Sequence, residues 1–330
     1  MENVNSCNYC ENTSFKLVYS AEDHYSGEIF TLVECSNCGL IFTNPRPSRV
    51  DLLKYYPSSY YGEFGIRFHP FLEKIVHNFR RILASRISNQ YPDGGRLLEI
   101  GSGRGTLLAE MSNKGWETIG TEYSDSLAES VQKEFNIEIY PTPNLTDCKF
   151  PDEFFEVIVC YHVLEHLNDP FGTLIEIKRI LKPSGSLIIA VPNIGGFVAK
   201  FSKEHWFAID VPRHLFHFTS ETLAEMMDCI GFRIYYNSSL SLEQDIFGFA
   251  QSILNLWGFP FNILYDFIRS PSAKIRHYKN DGNFFLKAFS FMMLMLLSSV
   301  LCIIGIPVAL ITGKYGKGGT MELWAQKYDY

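Results

Sequence analysis

The nine residues Leu97–Gly105 (Leu-Leu-Glu-Ile-Gly-Ser-Gly-Arg-Gly) constrain this chain more than any other segment. An apolar strand runs into a Gly-x-Gly-x-Gly turn, and a helical stretch, Leu107–Lys114, follows. Glycines let the backbone turn sharply and approach a ligand closely. Glu122 stands at the end of the next apolar run, 21 residues beyond Gly101, where a carboxylate can accept both hydroxyls of a ribose. Around this loop, short apolar runs alternate with helical stretches from residue 96 to about 237. The runs are Arg96–Ile100, Glu117–Gly120, Ile137–Tyr140, Val157–Tyr161, Ser186–Val191 and Phe232–Tyr236. Strands alternating with helices predict an α/β fold, a Rossmann-like doubly wound and mostly parallel sheet.

Before this core, Cys7-x2-Cys10 and Cys35-x2-Cys38 form two knuckles. Thiolates two residues apart can bind one ion from one turn, so the four point to a closed, structural Zn site; a redox pair is the alternative. Phe15–Tyr19 and Ile29–Glu34 read as two strands, which makes the segment a small zinc ribbon. Cys148, Cys160, Cys229 and Cys302 are scattered and read as core residues. Eight cysteines in 330 residues are too sparse for a disulfide scaffold, and the polar Met1–Cys10 stretch has no apolar leader, so a cytosolic setting is expected. The net charge of −7 disfavours a nucleic-acid partner. A stiff connector, Asn44–Pro47, and a Tyr-rich stretch (Tyr55, Tyr56, Tyr60, Tyr61) precede a helical stretch at 70–89. Its basic face (Lys74, Arg80, Arg81, Arg86) reads as a solvated side or as one suited to an anionic membrane surface.

Histidines supply the candidates for acid–base work. His162, Glu165 and His166 follow the Val157–Tyr161 strand at i, i+3 and i+4, which predicts one helix face aimed at the site. Their alternatives are a loop brace and a metal site. His205, Arg213, His214 and His217 lie in the loop before the helix Ser220–Cys229. Arg213 can clamp a phosphate or carboxylate of an acceptor, and His214 or His217 can serve as general base because imidazole titrates near neutrality. A purely bracing role is the alternative here too.

Together, the Glu99-led glycine loop, Phe154–Leu167 and Leu181–Leu187 resemble the class I S-adenosylmethionine-dependent methyltransferases. The resemblance covers about 96–237 and a short C-terminal piece. It implies that Glu99, Gly101, Ser102, Gly103 and Gly105 cradle the methionine end and ribose of S-adenosylmethionine. It implies that Glu122 binds the ribose with Tyr123 beside it, and that Tyr161 and His162 lie at the reactive side. The acidic adenine contact falls to Asp147, within a run, Pro141–Asp147, that departs from the common pattern. Ubiquinone-pathway O-methyltransferases carry a similar Glu-His pair where this chain has Glu165-His166, with a Glu in place of His162. That likeness implies a substrate-side role for the pair, with a divalent ion as one option. The ribbon, Cys38-Gly39, Pro45-Arg46-Pro47 and the Tyr-rich stretch resemble deoxysugar C-methyltransferases, whose different C-terminal domain keeps a sugar substrate from carrying over.

The remaining feature is hydrophobic. Residues 246–268 are largely apolar and 288–311 carry no charged side chain, a length that ordinarily reads as a membrane span. Yet 319–327 looks like the last strand of the methyltransferase sheet, lying beside Phe232–Tyr236, so a single crossing is excluded. A double crossing would put the basic stretch Arg269, Lys274, Arg276, Lys279 and Lys287 (with one acid, Asp281) outside, against the positive-inside tendency. The expectation is a monotopic insertion into the cytosolic leaflet, its helices broken by Pro260, Gly305 and Pro307. A buried lid or a homodimer interface is the alternative. The resulting division is a ribbon at 1–45, a connector and helix at 46–95, a cofactor-binding core at 96–238, a hydrophobic helical insertion at 239–316 and the last core strand at 317–330. The expected activity is methyl transfer to a lipid, isoprenoid or lipid-linked glycan. The competitors are a soluble glycan or deoxysugar methyltransferase and a non-catalytic ribbon module with a vestigial cofactor site.

Overall fold

A computed structural model describes residues 1–56, 70–269 and 284–328. In chain order the elements are β1 (Phe15–Glu22), β2 (Ile29–Cys35), β3 (Ile41–Thr43), α1 (Arg49–Leu52), α2 (Pro70–Gln90), β4 (Arg96–Ile100), α3 (Thr106–Ser112), β5 (Glu117–Glu122), α4 (Asp125–Phe135) and β6 (Glu138–Pro141). There follow β7 (Phe155–Tyr161), α5 (Pro170–Ile180), β8 (Leu181–Pro192), α6 (Phe197–Ser202), β9 (Phe216–His217), α7 (Ser220–Ile230), β10 (Phe232–Ser238), α8 (Leu242–Leu256), α9 (Ile263–Arg269), α10 (Phe284–Lys314) and β11 (Thr320–Lys327).

The main sheet runs β10-β11-β8-β7-β4-β5-β6. From β8 to β6 the strands are parallel, while β11 is antiparallel to both neighbours, with Leu323 opposite Ile189 and Ala325 opposite Ile234. This is the expected α/β architecture, with the last strand beside β10. The central strands are buried on both faces, from Val157 through Cys160 and from Leu187 through Val191, which explains their unbroken apolar runs.

A second sheet has the order β1-β2-β3-β9. Its first three strands are the ribbon, and its fourth comes from the loop before α7, with Ile41 opposite His217 and Phe42 opposite Phe216. The ribbon is therefore completed by the loop that carries His214 and His217.

Two local expectations are corrected. His162, Glu165 and His166 do not share a helix face, because only a short 3-10 turn, Leu164–His166, follows β7. The helix waits for Pro170, with Asp169 as its cap accepting from the Gly172 amide at 2.8 Å, since the residue before a proline resists the helical conformation. Gly305 and Pro307 do not break α10, which is continuous through both. Gly305 instead lets that helix approach α8, where an added Cβ would stand 3.2 Å from the Ile246 carbonyl oxygen. The break expected near Pro260 is real and lies between α8 and α9, with Gly258 at φ +79°.

The hydrophobic insertion is welded to the body by its polar residues. Asp245 accepts from the Ser241 and Gly319 amides at 3.0 and 2.9 Å, joining α8 to the start of β11. Buried Gln251 accepts from the Leu264 and Tyr265 amides at 2.9 and 3.1 Å, capping α9 from α8, and donates to Asn255 at 2.8 Å. Along α10, Leu294, Ser298, Leu301, Gly305 and Ala309 form a buried stripe at helical spacing, and Leu294 and Leu301 pack with Ala250, Ile253 and Leu254. The opposite face is apolar and open, with Leu296 59% and Ile303 66% exposed beside Met292, Val300, Leu310 and Ile311. The basic stretch expected at headgroups (Lys274, Arg276, Lys279, with Asp281) lies outside the described residues, as do Tyr60 and Tyr61.

Gln251→Leu keeps the volume but leaves two buried amides without an acceptor. It is expected to destabilise the protein by about 2 kcal/mol or more, measured by urea unfolding. A change within about 0.5 kcal/mol would show that α9 does not depend on this cap.

Candidate functional site

Three left-handed glycines build the cofactor loop at the C-terminal edge of β4: Gly101 (φ +66°), Gly103 (+54°) and Gly105 (+67°). A Cβ at Gly101 would meet Val163 at 2.5 Å and one at Gly105 would meet Val131 at 2.5 Å, whereas one at Gly103 would enter open space. Two of the glycines therefore serve packing, and the middle one borders open space. Glu122 accepts from the Gly103 and Tyr123 amides, both at 2.8 Å, and from Ser124 at 3.1 Å. It fixes the loop to the end of β5. Glu99 and Ser102 are buried, and neither Glu99 Oε2 nor Ser102 Oγ has a hydrogen-bond partner. Burial pushes the Glu99 carboxyl up to about 7, against the opposing charge of Arg80 and with the help of Glu122.

A cavity of about 220 Å³ opens among Arg80, Arg86, Tyr161, Leu242, Glu243 and Glu322. It lies where α2 and the start of α8 meet the end of β7 and the start of β11. Tyr161 donates to Glu322 at 2.7 Å, and the Arg80 guanidinium lies over the Tyr161 ring, 4.7 Å from its centroid. Glu322 also accepts from Arg86 at 2.7 Å. Arg80 and Glu243 were not legible as site residues. Arg80 differs from its neighbour Arg81 only in the way α2 turns it inward, and Glu243 comes from the insertion. Burial raises the Glu243 carboxyl, and its Oε2 has no hydrogen-bond partner.

The second half of the site gathers the histidines. His162, at φ +58°, places Nδ1 3.6 Å from Glu165 Oε1, and His214 Nε2 lies 4.0 Å from the same oxygen. His166 and His214 pack edge to face at 4.6 Å between ring centroids, and His217 stands 6.3 Å from His214. Burial, and then the neighbouring His166, lowers His214 to about 4; burial, and then His214, lowers His217 to about 3. Both rings are neutral at cellular pH. Burial would raise the Glu165 carboxyl, but His162, His166 and His214 together hold it below the usual carboxylate range.

Three expected residues are engaged by other partners. Arg213 is not an acceptor clamp: it is 0% exposed and is occupied by Asp23 and Asp210, both at 2.7 Å, and by the Tyr55 carbonyl at 2.8 Å. His205 lies 3.8 Å from Glu204. Asp147 is exposed and bonds within its own turn, to Asn144 at 3.0 Å.

In the ribbon, Cys7 and Cys38 lie 3.5 Å apart at sulfur, as do Cys10 and Cys35, and all four sulfurs fall within 4.8 Å of one another. Burial would raise the Cys35 thiol, but the Cys38 and Asn37 amides and the Asn12 side chain bring it down to about 6. Four converging sulfurs are the donor set of a structural zinc site.

A family model described as a methyltransferase domain matches residues 71–237, half of the chain. The chain belongs to this methyltransferase family. Its core is of the class I S-adenosylmethionine-dependent type. A Mycolicibacterium smegmatis protein named as an S-adenosylmethionine-dependent methyltransferase is 27% identical over 178 residues, covering 52% of this chain and 65% of that protein. A ubiquinone biosynthesis O-methyltransferase of Alkalilimnicola ehrlichii is 28% identical over 106 residues, covering 31% of this chain and 43% of that enzyme. The chain thus spans less than two thirds of the length of these curated relatives. A solved S-adenosylmethionine-dependent methyltransferase from Archaeoglobus fulgidus aligns over 75% of this chain and 94% of its own, at 18% identity and a TM-score of 0.43.

The loop fits the cofactor of this methyltransferase family. There is open space at Gly103, and two buried polar atoms, on Glu99 and Ser102, await partners. When bound, S-adenosylmethionine supplies a methyl group already activated on a sulfonium. The chain's own task is then to align an acceptor and to take its proton. Because Glu99 titrates near 7, it must be ionised to face a cationic methionine end. Affinity for S-adenosylmethionine is expected to fall about tenfold between pH 8 and pH 6, and Glu99→Gln to flatten that slope. Calorimetric titration that finds equal wild-type affinity across this range would remove Glu99 from the cofactor contact.

Proposed function

We propose that the protein transfers a methyl group from S-adenosylmethionine to a lipid, isoprenoid or lipid-linked glycan acceptor at the cytosolic face of a membrane. The observation that carries this is the open apolar face of α10, a helix long and apolar enough to cross a bilayer. Soluble proteins seldom leave so much contiguous apolar surface in water. One stripe of the helix packs on α8 along its length, so a membrane would receive it lying flat rather than crossing. Relatives named for ubiquinone biosynthesis support an isoprenoid-type acceptor. The acceptor's proton would pass to the histidines around Glu165, with His162, His214 and His217 as the imidazoles in reach.

Flotation of the full chain with anionic phospholipid vesicles is expected to carry the protein upward. The triple variant Leu296→Gln, Ile303→Gln, Leu310→Gln should lower vesicle partitioning at least about tenfold and leave S-adenosylmethionine affinity unchanged. Radiolabelled methyl from S-adenosylmethionine should enter the organic phase of a lipid extract. Protein that stays with the aqueous layer as a dimer, and label confined to water-soluble glycans, would overturn the lipid reading.

A further inference from the structure

Glu243 is an acid that the hydrophobic insertion brings to the wall of a cavity in the core. It stands in the first turn of α8, and its Oε2 is buried with no hydrogen-bond partner. A carboxylate there gains from the helix dipole, but that gain is available at the surface and does not explain the burial. An ionised oxygen buried without a donor is costly, so a partner is expected. The charged and phenolic groups of the wall are committed elsewhere. Glu322 Oε1 accepts from Arg86 and from the Trp324 indole at 2.7 and 2.8 Å, and its Oε2 accepts from Tyr161 at 2.7 Å. Arg86 is also held over the Trp324 ring, 4.5 Å from its centroid. The Arg80 guanidinium lies over the Tyr161 ring and makes no hydrogen bond to Glu243 Oε2. That oxygen is therefore open to a hydrogen supplied by a ligand.

Most of the remaining wall is apolar: Phe79, Ile82, Leu83, Leu240 and Leu242. A polar hook in an apolar wall suits an amphiphile. Leu240 and Leu242 are 40% and 41% exposed, so they form a rim. The rim adjoins the end of α10, where a Cβ added at Gly313 would stand 2.9 Å from that of Leu240. On the inner side the wall includes Tyr161, next in the chain to His162, and the charge of His162 bears on Glu243. We propose that this cavity holds the head group of the methyl acceptor, with Glu243 accepting a hydrogen bond from a hydroxyl of that head group and Leu240 and Leu242 admitting the apolar remainder. Arg80 and Arg86 in the same wall disfavour a cationic amine as the donor, which leaves a neutral hydroxyl. The inference rests on the methyltransferase reading above and adds the residue that selects the acceptor.

The test titrates the full chain with hexanol and with its methyl ether, which keeps the chain and the oxygen but has no donor. By calorimetry the wild type should prefer the alcohol at least about fivefold, and Glu243→Leu should abolish the preference. S-adenosylmethionine affinity of this variant should stay within about twofold of the wild type. A preference that survives in Glu243→Leu, or a wild type that binds no hexanol below about 10 mM, would overturn the pocket. Loss of S-adenosylmethionine affinity in the variant would put Glu243 at the cofactor and overturn its acceptor role. If Glu243→Leu fails to fold, Leu242→Trp at the rim decides. It should weaken both probes about tenfold, and unchanged binding would overturn the entrance. A wild type that selects hexanol yet puts no radiolabelled methyl into a lipid extract would support the pocket and sink the lipid-methylation reading instead.

Discussion

One guanidinium holds together parts of the chain that are distant in sequence. Arg213 bonds Asp23 in the ribbon, the Tyr55 carbonyl in the connector and Asp210 in its own loop. Burial would raise the Asp210 carboxyl, yet the Arg213 guanidinium keeps it well below the usual carboxylate range. A buried charge of this kind is tolerable only with all its partners in place, so the three segments are ordered together or not at all. The chain around Arg213 then sets the histidine cluster. The Arg213 carbonyl pins His166, and the Leu215 amide donates to the Glu165 carbonyl at 2.8 Å.

The insertion obeys a similar logic at the other end of the sheet. Since β11 must enter between β8 and β10, the chain that leaves β10 has to return, however apolar the route. Asp245 fixes both the departure and the return, and Gln251, Asn255 and Asn262 lock α9 to α8. The polar residues that interrupt the apolar run are thus its internal fastenings. Among the described residues, the outward face of α10 carries no such fastening.

Much of the core was legible because period and turn chemistry act locally. The parallel strands, the glycine loop and the acid at the end of β5 lie where alternation and spacing put them. The cysteine pairs converge as two knuckles should. What escaped reading depended on distant partners. Arg213 reads as an exposed clamp until Asp23, 190 residues away, is seen beside it. Arg80 and Arg81 are indistinguishable until the rotation of α2 is known. The helix expected from His162 to His166 failed for a local reason that was visible, the Asp169-Pro170 pair, which outweighs an i, i+3, i+4 pattern. Gly305 and Pro307 misled in the opposite sense. Packing against α8 keeps α10 continuous where propensity alone predicts a break.

The pairing of β3 with β9 has a consequence for how such a chain can be inherited. A ribbon joined to a catalytic core by a linker can be lost or exchanged by recombination, as modules are. Here Phe42 and Phe216 sit opposite each other in one sheet, and Thr43 donates to the His214 carbonyl at 3.2 Å. A substitution in the ribbon is therefore felt at the floor of the histidine cluster, and one in the cluster's loop is felt in the ribbon. The two would drift as a single unit, whatever boundary composition draws between them.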